Sequence, residues 1–152
     1  MSHRLLTNAF PPRRELGRTK FIATVLGIGD IADRNLPIET CVDTVRRAMD
    51  AGLNVIDTAP GYEDGYSEEI VGRAVKGRRD TMFVIDKIDH ADEPVMPQID
   101  ASLERLGLEM VDCFVLHNCS TIDAWARAIE HGGHMDQLYE ARRRAGWPIV
   151  SP

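Results

Sequence analysis

Four times along the chain, a short run of β-branched and aliphatic residues gives way to a longer stretch whose apolar positions recur every three or four residues. The first run covers residues 24–28. After Pro37, Ile38, Val42, Val45 and Met49 keep helical spacing until Gly52 stops it. The second run, 54–57, leads to a helix whose expected N-cap is Ser67, with Glu68 and Glu69 in its first turn and Ile70, Val71, Ala74 and Val75 facing inward. The third run is 82–87. Its helix is introduced by Pro94 and Pro97 and carries Ile99, Leu103 and Leu106 as far as Gly107. The fourth run is 110–117. Helical spacing resumes at Ala124, and the pair Gly132 and Gly133 predicts a break between a short helix with Trp125 and Ile129 and a longer one over 135–145. Residues 147–150 read as the opening of a fifth strand. A turn at Gly17, Arg18 and Thr19, between 14–17 and 20–23, reads as a hairpin ahead of the alternation.

Strands alternating with helices at this spacing imply parallel strands joined by right-handed crossovers, an α/β fold. Two arrangements satisfy the pattern, an open doubly wound sheet and a closed (β/α)8 barrel. A barrel takes about 250 residues. The chain has 152, so length by itself favours the open sheet. Gly27, Ile28, Gly29, Asp30, Ile31 and Ala32 also match a G-x-G-x-x-A dinucleotide fingerprint directly behind a strand. No helix opens there, however. Residues 33–37 intervene, so the glycines do not aim helix N-terminal amides at a pyrophosphate, and a tight turn is the plainer reading.

A hydrophobic content of 43% is enough for one packed core, and residues 1–152 read as a single domain. The formal charge of -6 comes from interleaved acids and bases, which leaves no basic stripe to follow a nucleic-acid backbone. The first twenty residues hold no apolar stretch of signal-peptide length, and no run elsewhere is long enough to span a membrane. Cys41, Cys113 and Cys119 are an odd number, which fits free thiols in a reducing cytoplasm. His131 and His134 flank the glycine pair but supply only two of the ligands zinc needs, and no metal is expected. Cys119 stands near His117 without an evident orienting acid, so it reads as a free thiol.

The chemistry-bearing residues are marked by position. Asp57, Lys87 and His117 each close a predicted strand, and Tyr62 lies in the loop after the first of them. In a parallel barrel those strand ends and loops form the face where reactions occur. Singly, each has an ordinary role as a turn former, loop aromatic, solvated strand end or satisfied histidine. Together they compose a proton-delivery site. A phenol is a poor acid at neutral pH unless a cation stabilises its phenolate, and Lys87 could supply that cation with Asp57 holding it. His117 could hydrogen-bond a carbonyl oxygen and orient it toward Tyr62.

The residues Leu16-Gly17-Arg18-Thr19, Asp57-Thr58-Ala59 with Tyr62, Ser67-Glu68 with Gly72, Lys87, Ser102-Leu103 with Arg105-Leu106, and Val111-Asp112 leading to Leu116-His117 follow a recognisable order. Over residues 14–117 the chain resembles the N-terminal half of an aldo-keto reductase. The resemblance implies a (β/α)8 barrel, of which this chain would hold the first half: the hairpin, four βα units and the start of strand five. It implies reduction of a small aldehyde or ketone by NADPH, with NADH possible, and a catalytic tetrad of Asp57, Tyr62, Lys87 and His117. Family members hold the cofactor mainly from the fifth strand onward, which leaves Asp57, Gly29 and Asp30 as the contributors expected here. Asp86 departs from the small hydroxyl residue usual beside the lysine. Strand alternation should point it into the helix layer, to meet a cation or solvent. Asn118-Cys119-Ser120 and Trp147-Pro148 depart as well. Two expectations result: an enzyme completed by a second chain or copy, or an inactive half-barrel serving as a fragment or assembly subunit. Both imply self-association or a complementary C-terminal half, because uncovered strand edges invite pairing.

Overall fold

The computed structural model describes residues 12–144. Strands β1 (Arg13–Glu15) and β2 (Ile22–Thr24) pair antiparallel around a tight helical turn at Gly17–Thr19. Then follow α1 (Ile38–Asp50), β3 (Val55–Asp57), α2 (Tyr66–Val75), β4 (Phe83–Ile88), α3 (Val95–Leu106), β5 (Cys113–Leu116), α4 (Ile122–Ile129) and α5 (His134–Arg144). The predicted strand over 147–150 lies outside the described residues.

β3, β4 and β5 form a parallel sheet in chain order, with Asp57 opposite Ile85 and Lys87 opposite Val115. Ile28 extends this order on the other side through a parallel bridge to Ile56. The helices pack on one another, α1 on α2, α2 on α3, and α3 on α5. An open doubly wound sheet reverses its strand order and puts helices on both faces. Among the described residues neither happens. Strands in sequential order under one helix layer are the geometry of a (β/α)8 barrel, and the length argument for an open sheet fails against it.

The reason is written in the faces. Ile56 and Val84 are buried with Val42, Val45, Ile70, Val71 and Val75 of α1 and α2, and Phe114 of β5 packs against the same cluster, so these strand positions meet the helices. The alternate positions Asp57, Phe83, Ile85, Lys87, Cys113 and Val115 face the barrel interior. Val115 there is 38% exposed. The hairpin covers the strands' N-terminal end: Asn54 accepts from the Thr24 amide (2.7 Å), and Phe21 packs on Phe83 with centroids 5.4 Å apart.

Several boundaries differ from the sequence expectations. The run 24–28 is no strand: Thr24 ends β2, its hydroxyl donates to the Leu26 carbonyl (2.7 Å), and the chain bends with Val25 and Leu26 exposed before Ile28 makes its single bridge. Ser67 does not cap α2. Gly65, at φ 80°, holds that position, and the buried Ser67 accepts from the Thr58 hydroxyl (2.9 Å). β4 runs one residue beyond Lys87, and β5 is shorter than 110–117. α4 starts two residues before Ala124 because the Thr121 hydroxyl caps it, accepting from the Ala124 amide (3.1 Å). The glycine break is present between α4 and α5, with Gly132 at φ 78°.

Candidate functional site

Three strand ends and one loop converge at the C-terminal rim. β3 ends on Asp57, β4 carries Lys87 as its penultimate residue, and His117 follows β5, its amide donating to the Ile88 carbonyl (2.9 Å). Tyr62 sits in a wound loop: its amide donates to the Ala59 carbonyl, and the Gly65 amide to that of Pro60 (2.7 Å). Glu63, Asp64 and Gly65 all take left-handed φ angles of 50°, 50° and 80°. A non-glycine residue in that region costs about 1–2 kcal/mol. Such strain persists where the surroundings hold it in place, here including the Arg34 guanidinium, which donates to the Glu63 carbonyl.

Lys87 is the centre of the group. It is 7% exposed, and its Nζ donates to Asp57 Oδ1 (2.5 Å) and to the Thr58 carbonyl (2.7 Å). The same Nζ lies 4.5 Å from the Tyr62 ring centroid. Burial pulls the Lys87 pKa down, but the hydrogen bond to Asp57 and the neighbouring Tyr62 and Asp57 side chains outweigh it, so the ammonium is held above its ordinary value. The Tyr62 and His117 rings meet edge-on, with centroids 5.5 Å apart at 85°. All four residues expected to form the tetrad are therefore together.

Gly29 and Asp30 belong to the turn leaving the Ile28 bridge. Asp30 is exposed, and its Oδ1 accepts a local bond from the Ala32 amide (3.0 Å). Asp57 lies at the rim with its side chain 37% exposed. His131 pairs with Asp136 (3.4 Å), and His134 Nε2 lies 3.2 Å from the Glu93 carbonyl oxygen. Burial pushes the Cys113 thiol up, away from the reactive thiolate.

Sequence reasoning missed Asp89, which bonds His117 Nδ1. Its signal was available, since it lies two residues past Lys87 and so on the same side of the strand's continuation. Behind the rim, Asp86 faces the helix layer as alternation predicts. It is fully buried rather than solvated: Oδ1 accepts from the Lys87 amide (2.8 Å), while Oδ2 has no hydrogen-bond partner among the described residues. Burial, then the neighbouring Glu68 charge, raises its pKa from 3.8 to about 7, against the smaller opposing effects of the Lys87 amide and Ser102. The helix cation, Arg105, is engaged by Glu68 through Nε (2.5 Å) and Nη2 (3.1 Å).

Fold and rim define the class: a (β/α)-barrel chain with a polar cluster at the C-terminal ends of its parallel strands. The chain belongs to the aldo/keto reductase family, whose model matches residues 24–141. It is 36% identical over 92 residues to the aldo-keto reductase YhdN of Bacillus subtilis, covering 52% of this chain and 28% of that protein. To the NADH-specific methylglyoxal reductase of Escherichia coli it is 31% identical over 131 residues, 67% of this chain and 40% of the relative. A solved aldo-keto reductase from Klebsiella pneumoniae, in complex with NADPH, superposes with a TM-score of 0.71 at 27% identity, over 84% of this chain and 44% of that one. The chain thus spans less than half the length of these relatives.

Proposed function

We propose that this chain carries the proton-delivering half of a carbonyl-reducing site and works with a nicotinamide cofactor on a small aldehyde or ketone. The observation that supports it most is Lys87, clamped by Asp57 and lying 4.5 Å from the Tyr62 ring centroid. That cation stabilises the phenolate left when Tyr62 gives its proton to the carbonyl oxygen. Asp57 and the Thr58 carbonyl hold the ammonium in place, and His117 stands beside Tyr62 to orient the reacting oxygen.

The residues present fit a nicotinamide cofactor in part. Asp57 offers an open carboxylate oxygen acceptor for ribose hydroxyls, and the turn at Gly29 has no atom within 4 Å of where a side chain would begin, which leaves backbone approachable. Asp57, Gly29 and Asp30 are the residues that would hold it, and NADPH is the first choice, with NADH next because one relative is NADH-specific. When bound, the cofactor supplies the hydride. The interior-facing Val115 of β5 is exposed, which supports completion of the site by a complementary C-terminal half or a second copy. The second reading, an inactive half-barrel used in assembly, is favoured by the same open face.

The test is titration with NADPH followed by cofactor fluorescence, with light scattering reporting mass, and turnover on simple aldehydes. Saturable binding and turnover that Tyr62→Phe abolishes, at unchanged cofactor affinity, would bear the proposal out. Absence of binding at millimolar cofactor, or turnover unchanged in Tyr62→Phe, would sink it.

A further inference from the structure

Asp89 and His117 come from different strand–loop exits, 28 residues apart, and their side chains are 11% and 20% exposed. The space for Asp89 is provided by Gly61, next to Tyr62: a Cβ built on Gly61 would sit 2.6 Å from Asp89 Oδ2. A loop glycine thus admits the acid that grips the imidazole, and the imidazole in turn meets the Tyr62 ring edge-on. An ionised carboxylate only accepts hydrogen bonds. A neutral imidazole bonded to it through Nδ1 therefore carries its proton on Nδ1 and leaves a lone pair on Nε2.

We propose that Asp89 is a positioning residue of the carbonyl site, fixing both the ring orientation of His117 and the location of its proton on Nδ1. Nε2 then accepts from a product hydroxyl, and it donates to a carbonyl oxygen after a proton from bulk solvent has been added to it, with the Asp89 carboxylate pairing the imidazolium. The role in reduction rests on the carbonyl-reducing reading above. The proton location does not.

The experiment uses the full chain labelled with 15N-histidine, with His117 assigned by the loss of its signals in His117→Gln. Long-range 15N–1H correlation separates a protonated from an unprotonated ring nitrogen. In the wild-type chain Nδ1 is expected in its protonated form. Asp89→Asn offers an amide donor to Nδ1 and is expected to move the proton to Nε2. Gly61→Ala is a second route: the far end of the Asp89 side chain must swing away, and Nδ1 protonation should fall although neither partner is altered. Unchanged far-UV circular dichroism shows that the variants fold. A wild-type His117 protonated on Nε2 alone, or a proton that stays on Nδ1 in both variants, would overturn the assignment. In turnover assays Asp89→Asn should lower kcat at least about tenfold with cofactor KM unchanged, and an unaltered kcat in an active enzyme would also overturn it. A wild-type chain that reduces no carbonyl while the tautomer shift stands would sink the reductase reading and leave the Asp89–His117 assignment intact.

Discussion

Replacing Asp86 by asparagine should stabilise the protein at alkaline pH and leave it no more stable in acid. The carboxyl is completely buried beside Glu68, with one oxygen unpartnered, and its pKa rises from 3.8 to about 7 on folding. A group whose folded pKa is raised keeps its proton in the native state where the unfolded chain has released it. Stability is therefore fully present below about pH 4, falls as pH rises toward about 7, and levels off above that. A rise from 3.8 to about 7 corresponds to on the order of 4 kcal/mol lost across this window. Asparagine keeps the acceptor for the Lys87 amide and has no proton to lose. With Glu68 and Arg105 absorbing part of the change, Asp86→Asn should gain about 2–4 kcal/mol at pH 8. At a urea slope of about 2 kcal/mol/M, that is a midpoint shift of roughly 1–2 M. Urea denaturation of both proteins from pH 4 to pH 8 reads it directly. Parallel stability curves for wild type and variant across that range would refute the burial argument.

Other expectations follow from contacts of the same framework. Gly72→Ala would place a Cβ 1.8 Å from the Leu106 carbonyl oxygen, so α2 and α3 must part. Helix propensity alone predicts a gain of about 1 kcal/mol, whereas the clash predicts a loss of about 1–3 kcal/mol; thermal melts decide, and any gain counts against the close approach. Arg105→Met strands the buried Glu68 carboxylate and should cost about 2–3 kcal/mol, less than a fully buried pair because Arg105 is 36% exposed. Adding Glu68→Gln to that variant should recover part of the loss, and additive losses in a double-mutant cycle would show that the two groups act independently. Thr121→Ala removes the cap of α4 and should lose about 1 kcal/mol of local stability, seen as faster amide exchange at Ala124 and Trp125.

Much of the architecture was legible in the chain because period carries local structure. Helical recurrence of Val42, Val45 and Met49 located α1, and strand alternation around Asp86 and Lys87 assigned one to the helices and the other to the barrel interior. Asp57, Lys87 and His117 stood out because polar residues closed apolar runs, and the family pattern carried Tyr62 with them. Local misreadings arose where a side chain competed with the backbone: Thr24 bends the run after β2, and Thr58 draws Ser67 away from capping α2.

Length alone pointed to an open sheet and the family pattern to the barrel, and the packing of helices on one side of sequentially ordered strands bears out the barrel. Nor could periodicity say that Asp89 would bond His117, that Gly61 would make room for it, or that Asp86 would be sealed beside Glu68. Amino-acid order determines which residues share a face, because the repeat of a helix or strand is set by neighbours in the chain. Which faces then meet depends on strands and helices brought together across many residues. Charge, burial and hydrogen bonding at the site follow from that meeting, so they belong to the tertiary structure alone.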